Sequence, residues 1–240
     1  KGLGYKSTLV AVSTDEPDLT AAAINKHPGV SHNYYREHDF NIWFTLTIPE
    51  DLAFNIVIDD ILNKAEYRNY LILPSIKTFK IGVNFHFSRK RSKKEKNTYS
   101  SEINKVAINK DLIRLLQKPF PLVSFPWSEI ALELNKTVEV LFNEIEILKE
   151  AGIIKRISGV LRHRKTGYNA NGMACFQLEA DHIEEAGNKA AEFSAVSHCY
   201  ERPVYPDWPY SLFAMTHGKS ELECNTIIDE IGQEIDAENT

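Results

Sequence analysis

One short phrase occurs twice in this chain, in the same neighbourhood each time. Val30-Ser31-His32-Asn33-Tyr34-Tyr35-Arg36 is answered by Val196-Ser197-His198-Cys199-Tyr200-Glu201-Arg202. Each copy follows a short amphipathic helix and precedes an aromatic-rich strand, expected at Ile42-Trp43-Phe44 in one case and at Trp208-Pro209-Tyr210 in the other. Two copies of one supersecondary unit usually pack as a pseudo-symmetric pair, so the repeat constrains the architecture before any other feature. Both copies also carry an imidazole, a phenol and a guanidinium at matched spacing. Those groups are the raw material of a site that handles carboxylates.

The 240 residues suffice for one large domain or two to three small ones. A net charge of −5 argues against a protein whose main work is gripping nucleic acid over a wide face. Cys175, Cys199 and Cys224 are few, odd in number and outside any paired metal spacing, which fits a reducing, cytoplasmic setting. No apolar run approaches the roughly 20 residues that span a bilayer, and no signal peptide is visible. The chain opens on Lys1-Gly2-Leu3-Gly4 without a methionine, as expected of a fragment of a longer protein.

Four segments are expected. Residues 1–87 read as a first ferredoxin-like unit: a strand over Ser7 to Val12, a helix opened by Pro17, a strand over Asn41 to Thr47, a helix striped by Ala53, Ile56, Val57 and Ile61, and an extended stretch from Tyr70 to Phe85. That is the βαββαβ order. Residues 88–103 form a basic linker rich in Arg89, Lys90, Arg91, Lys93, Lys94 and Lys96. Residues 104–172 read as a winged helix-turn-helix, with helices over Asp111 to Leu116, Trp127 to Leu134 and Thr137 to Glu150, a tight turn at Asn135-Lys136, and a following hairpin that begins with a strand over Ile153 to His163. Residues 173–240 repeat the first unit, with helices striped by Ile183, Ala186, Ala190 and Phe193 and by Cys224, Ile227, Ile228 and Ile231. This copy stops before its closing strand, and Gly4-Tyr5-Lys6-Ser7 aligns with Gly167-Tyr168-Asn169-Ala170 inside a wing, so an upstream winged helix is expected to be missing. The predicted fold class is α+β: two ferredoxin-like units joined by a winged helix-turn-helix, related by a pseudo-two-fold.

A helix-turn-helix joined to a ferredoxin-like unit resembles the Lrp/AsnC family of regulators, which makes transcription a rival function. The helix that would enter the major groove should present cations to phosphates and Arg, Lys, Asn or Gln to bases. Thr137 to Glu150 instead carries Glu139, Glu144, Glu146 and Glu150 against Lys149. Carboxylates near phosphate are repulsive, so DNA is not expected as a partner.

The polar groups that do not suit a plain core fall in two clusters. Arg162-His163-Arg164-Lys165 precedes Gly167-Tyr168-Asn169-Ala170-Asn171-Gly172-Met173; a solvated basic turn and a binding element are both compatible with it. His198, Tyr200, Arg202, Tyr205, Trp208 and Tyr210 crowd a segment broken by Pro203, Pro206 and Pro209, with His217 just after. Aromatics interleaved with Arg and His in such a segment fit the lining of a pocket for a flat, acidic ligand.

Both clusters, with Leu3-Gly4-Tyr5-Lys6-Ser7-Thr8 and Gly29-Val30-Ser31-His32, closely resemble the siroheme decarboxylase family over nearly the whole chain. The resemblance implies two Lrp/AsnC-like subunits, here fused, that convert siroheme to didecarboxysiroheme on routes to haem d1 or haem. It implies siroheme as substrate, no separate cofactor, no protein-held metal, and an intramolecular pseudo-dimer open to further self-association. Arg suits carboxylates through bidentate contacts, and Tyr and Trp suit the macrocycle faces. His198 is expected to be a proton donor or an axial ligand to the substrate iron. Arg202 and His163 join it as catalytic candidates. Arg162, Arg164, Lys165, Tyr168, Tyr200, Tyr205, Trp208 and Tyr210 are expected to bind substrate, and His32 and Arg36 to form a matching, degenerate site. The competing readings are an Lrp-type regulator with a small effector and a non-catalytic tetrapyrrole-binding protein.

Overall fold

A computed structural model of the chain describes residues 3–63, 65–82, 108–154, 157 and 170–240. The linker 88–103, most of the strand expected over 153–163, and Arg162, His163, Arg164, Lys165 and Tyr168 lie outside the described residues. The chain divides into two compact units, one of Lys1–Tyr5 with Lys96–Val160 and one of Lys6–Glu95 with Leu161–Thr240.

The larger unit holds both copies of the repeat. Its first half runs β1 (Tyr5–Ser13), α1 (Pro17–Ile24), β2 (Val30–Tyr35), β3 (Ile42–Pro49), α2 (Phe54–Leu62) and β4 (Asn69–Leu73), in a sheet of order β2-β3-β1-β4. This is the expected ferredoxin-like order. The next strand, β5 (Lys77–Ile81), does not belong to that sheet. It pairs antiparallel with β7 (Val196–Glu201), with Lys77 opposite Glu201 and Ile81 opposite His198. The second sheet has the order β5-β7-β8-β6, completed by β6 (Ala170–Phe176) and β8 (Leu212–Gly218), with α6 (Ile183–Glu192) and α7 (Glu221–Glu234) as its helices. The described part of the stretch expected to run extended from Tyr70 to Phe85 is therefore two strands in different sheets. Pro74 separates them, because it supplies no N–H to continue a ladder.

Alternation along the strands sorts side chains into three layers. Ile42, Phe44, Leu46 and Ile48 of β3 join Val10 and Val12 of β1 in a core shared with Ile24, Ile58 and Leu62 of the helices. Trp43 and Ala11, one residue out of phase, face the other way and meet Trp208 and Phe213 of the second half between the sheets. Ala174, Phe176, Val196, Leu212, Ala214 and Ile231 form the corresponding core under α6 and α7.

β5 is seated by one close approach. A Cβ at Gly187 of α6 would lie 2.4 Å from the Phe79 ring of β5, so the helix can cross this strand only where it has no side chain. Gly187→Ala is expected to displace that ring and cost about 1–3 kcal/mol by overpacking, read as a lowered urea midpoint. An unchanged midpoint would mean that Phe79 does not pack there.

The smaller unit is built on α3 (Lys110–Leu116), α4 (Pro126–Glu133) and α5 (Val138–Glu150). Asn109 caps α3 by accepting from the N–H groups of Asp111 and Leu112, and Thr137 caps α5 by accepting from Val140 N–H. Asn135, at φ 53°, makes the tight turn between α4 and α5. Helix α5 closes on Gly152 at φ 70°, where Ile153 N–H donates to Leu148 O and Gly152 N–H to Lys149 O, both at 2.9 Å, a Schellman ending. Leu112, Ile130, Leu141, Ile145 and Leu148 form the core. Glu139, Glu146 and Glu150 are exposed along α5, and Lys149 is paired with Glu146 at 2.7 Å.

Candidate functional site

The repeated Val-Ser-His phrase is a β-bulge in both halves. Val196 pairs with Thr216 and His198 with Met215, so Ser197 and His198 share one partner residue on β8. Val30 pairs with Leu46 and His32 with Thr45, with the same shift. A bulge inserts one residue and re-aims the side chains beyond it. Past it, His198 and Tyr200 lie on one face of β7, continued by Arg202 just beyond the strand's end, while Cys199 turns into the core under α6.

The three side chains form a stacked row. The His198 and Tyr200 rings stack with centroids 6.1 Å apart, and the Arg202 guanidinium lies 4.9 Å from the Tyr200 ring centre. The first half repeats the row: His32 over Tyr34 at 6.1 Å, and Arg36 over Tyr34 at 5.0 Å. Each cation–π pair holds its guanidinium against a ring face. Burial separates the two rows. His198 and Tyr200 are half-buried and Arg202 is 8% exposed, whereas His32 and Tyr34 are exposed.

The second row is also wired behind its histidine. Ser197 Oγ lies 2.9 Å from His198 Nδ1 and 2.8 Å from His217 Nε2, with Met215 O at 3.4 Å. In the first half Ser31 Oγ meets His32 Nδ1 at 3.0 Å, and Thr47 stands at the place of His217. The equivalence follows from the backbone: Thr47 N–H donates to Gly29 O and His217 N–H to Ala195 O, each at 2.9 Å.

Three expected site residues, the catalytic candidate Arg202 and the binders Tyr205 and Trp208, sit where the two halves pack together. Arg202 donates through Nη1 to Leu73 O and also lies 5.4 Å from the Phe213 ring centre. Burial lowers its guanidinium to about 10, which leaves it cationic at neutral pH. Tyr205 donates its hydroxyl to Ile72 O at 2.6 Å. Trp208 is 3% exposed, and its ring meets Trp43 at 5.4 Å, Phe40 at 5.6 Å, His38 at 5.4 Å and Tyr210 at 5.0 Å. The sequence placed Trp208 in a strand and against a macrocycle. The structure places it in a tight loop, exchanging backbone hydrogen bonds with Tyr205, and in the core between the sheets, because four aromatic neighbours already cover its ring.

Burial pushes the Cys175 thiol up to about 12, although Arg202 and Arg36 both pull it down. The Cys199 thiol is likewise pushed up to about 12 by burial. Neither thiol is a nucleophile at neutral pH. Among the described residues no group of three or more His, Cys, Asp or Glu side chains could hold a metal ion, and no helix is long and apolar enough to cross a membrane.

The AsnC-like ligand binding domain family matches residues 2–80 and 165–240, and the siroheme decarboxylase NirDL-like HTH domain matches residues 109–155. A siroheme decarboxylase of Hydrogenobacter thermophilus is 38% identical over 236 residues, which cover 97% of this chain and 71% of that protein. The chain belongs to the siroheme decarboxylase family. The siroheme decarboxylase NirDL subunit of Paracoccus denitrificans is 30% identical over 93% of this chain and 70% of its own length. A crystal structure of the siroheme decarboxylase NirDL superposes with a TM-score of 0.71 at 33% identity, covering 99% of this chain and 70% of that one. A second crystal structure, of NirDL in co-complex with an iron-uroporphyrin III analogue, gives a TM-score of 0.69 at 32% identity, over 99% of this chain and 70% of that one. This siroheme decarboxylase chain is thus of the fused type, with both AsnC-like units in one polypeptide.

Within this siroheme decarboxylase fold the structure brings His198, Tyr200 and Arg202 into one row and His32 and Arg36 into its counterpart. Tyr205, Trp208 and Tyr210 belong to the packing behind the second row. In the sequence His217 stands beside the second cluster and Ser197 within the repeated phrase, but neither is given a role there. The signal available for them was the repeated Val-Ser-His phrase, whose doubling as a bulge depends on strand register.

Proposed function

We propose that this chain removes the carboxyl groups of two acetate side chains of siroheme, giving 12,18-didecarboxysiroheme in haem d1 or alternative haem biosynthesis. The observation that carries the reading is the His198–Tyr200–Arg202 row, in a chain that shares its family over nearly its whole length. The iron belongs to the substrate. Each step breaks the bond between the acetate methylene and its carboxylate, releases carbon dioxide and consumes one proton. The electron pair passes to a protonated pyrrole ring, the exocyclic methylene is protonated to methyl, and the ring proton then leaves, so one proton is consumed net.

His198 supplies that proton, since imidazole moves protons near neutral pH. Arg202 keeps a positive charge beside the row and draws an acidic ligand towards it. Tyr200 offers a ring face between the two. Arg162, Arg164, Lys165, His163 and Tyr168 hold further carboxylates in this reading, and His32 and Arg36 mark a second, more exposed place for the same ligand class. The helix-turn-helix serves as scaffold, because the exposed carboxylates of α5 oppose phosphate.

Siroheme mixed with the purified chain under anaerobic conditions is expected to shift its Soret band and to yield a product lighter by two carbon dioxide units. A shifted band with unchanged substrate mass would leave a tetrapyrrole-binding protein. Sequence-dependent retardation of duplex DNA at low salt, with no Soret shift, would favour a regulator.

A further inference from the structure

Ser197 has one hydroxyl hydrogen and two imidazole nitrogens within hydrogen-bond distance, His198 Nδ1 at 2.9 Å and His217 Nε2 at 2.8 Å. If it donates to one, the other must donate to it. When His217 donates, the hydroxyl donates to His198 Nδ1, and neutral His198 carries its hydrogen on Nε2. Reversing the row moves one proton from His217 to His198. Ser197 is 3% exposed, so water does not readily replace either partner.

The bulge alone does not require this arrangement. The first half has the same bulge and the same serine–histidine contact, yet Thr47 replaces the second imidazole and hydrogen-bonds Ser7 Oγ at 3.2 Å, and Ser31 and His32 are exposed. The second imidazole is therefore an addition to one half of a repeated frame.

We propose that Ser197 and His217 are positioning residues for His198, fixing its tautomer and returning to it the proton it spends on each decarboxylation. The inference rests on the functional reading above. In the step, His198 gives its Nε2 proton to the substrate methylene carbon. The Ser197 hydroxyl proton passes to His198 Nδ1, and the Nε2 proton of a doubly protonated His217 passes to Ser197 Oγ, which leaves both imidazoles neutral. Solvent then returns one proton at His198 Nε2 while the Nδ1 and hydroxyl protons run back to Ser197 and His217, so the row is restored with one proton consumed per carbon dioxide released. Only one half of the chain carries this supply, so both acetates are processed at the second row.

The test uses the full chain with siroheme under anaerobic conditions. His217→Gln keeps a side-chain amide near Ser197 but cannot relay a proton, and Ser197→Ala cuts the row. Each is expected to lower kcat by about a hundredfold. Siroheme affinity from Soret titration should stay at the wild-type value, and the double variant should be no slower than either single, since both interrupt one path. His217→Ala should regain turnover with added imidazole, and Thr47→Val, at the matching place of the other half, should leave kcat unchanged. Wild-type turnover in His217→Gln, losses that multiply in the double variant, or loss of siroheme binding in step with kcat would each overturn the proposal. If Ser197→Ala does not fold, imidazole rescue of His217→Ala decides alone, and its absence counts against the relay. A wild-type chain that makes no product overturns the functional reading itself, whereas an active wild type with an active His217→Gln overturns only the relay.

Discussion

Replacing His198 by alanine is expected to lower siroheme turnover by about 10²–10⁴-fold, the usual worth of a positioned general acid. The fold should survive the change. His198 is half-buried on a face of β7, and its hydrogen bond to Ser197 is a side-chain contact rather than part of the β7–β8 ladder. Product mass after anaerobic incubation reads the loss directly. The Soret band separates two ways of failing. A band identical to that of wild type with no product means that the proton donor has gone. A band returned to the position of free siroheme means that an axial ligand has gone with it. Turnover at the wild-type rate would remove His198 from the mechanism.

The largest effect on stability is expected at Trp208. Its ring bridges the two halves, touching Trp43, Phe40 and His38 from the first and Tyr210 and Phe213 from the second. Removing a buried indole leaves a cavity that rigid aromatic neighbours cannot close, so Trp208→Ala should cost about 3–5 kcal/mol. Against a typical total of roughly 5–15 kcal/mol, that is a large share. Urea unfolding followed by circular dichroism measures it. A cost below about 1 kcal/mol would be a surface value and would contradict the core position of the ring. Because Arg202 and Tyr205 hydrogen-bond Leu73 O and Ile72 O across the same boundary, the variant should also loosen the row in front of them.

Several elements were legible in the residues because their signals are local. Thr137 caps one helix and Gly152 closes it in the left-handed region, and Ala186 and Ala190 of the expected stripe give α6 its buried face. Trp208 could not be placed from composition, because an aromatic among prolines and an arginine looks the same in a pocket wall and in a domain core. Which of the two it lines depends on what lies opposite, and that comes from a strand far away in the chain.

The sequence by itself settled that one supersecondary unit occurs twice, and that each copy carries histidine, tyrosine and arginine two residues apart. Period-two and period-3.6 patterns and turn chemistry are properties of neighbouring residues, so no tertiary context is needed to read them. Only the tertiary structure decided that β5 leaves its own half to pair with β7, and that the serine of the repeated phrase occupies a bulge between two imidazoles. Strand partnership and register are set by contacts between distant residues, and a shift of one residue reverses which face a side chain takes.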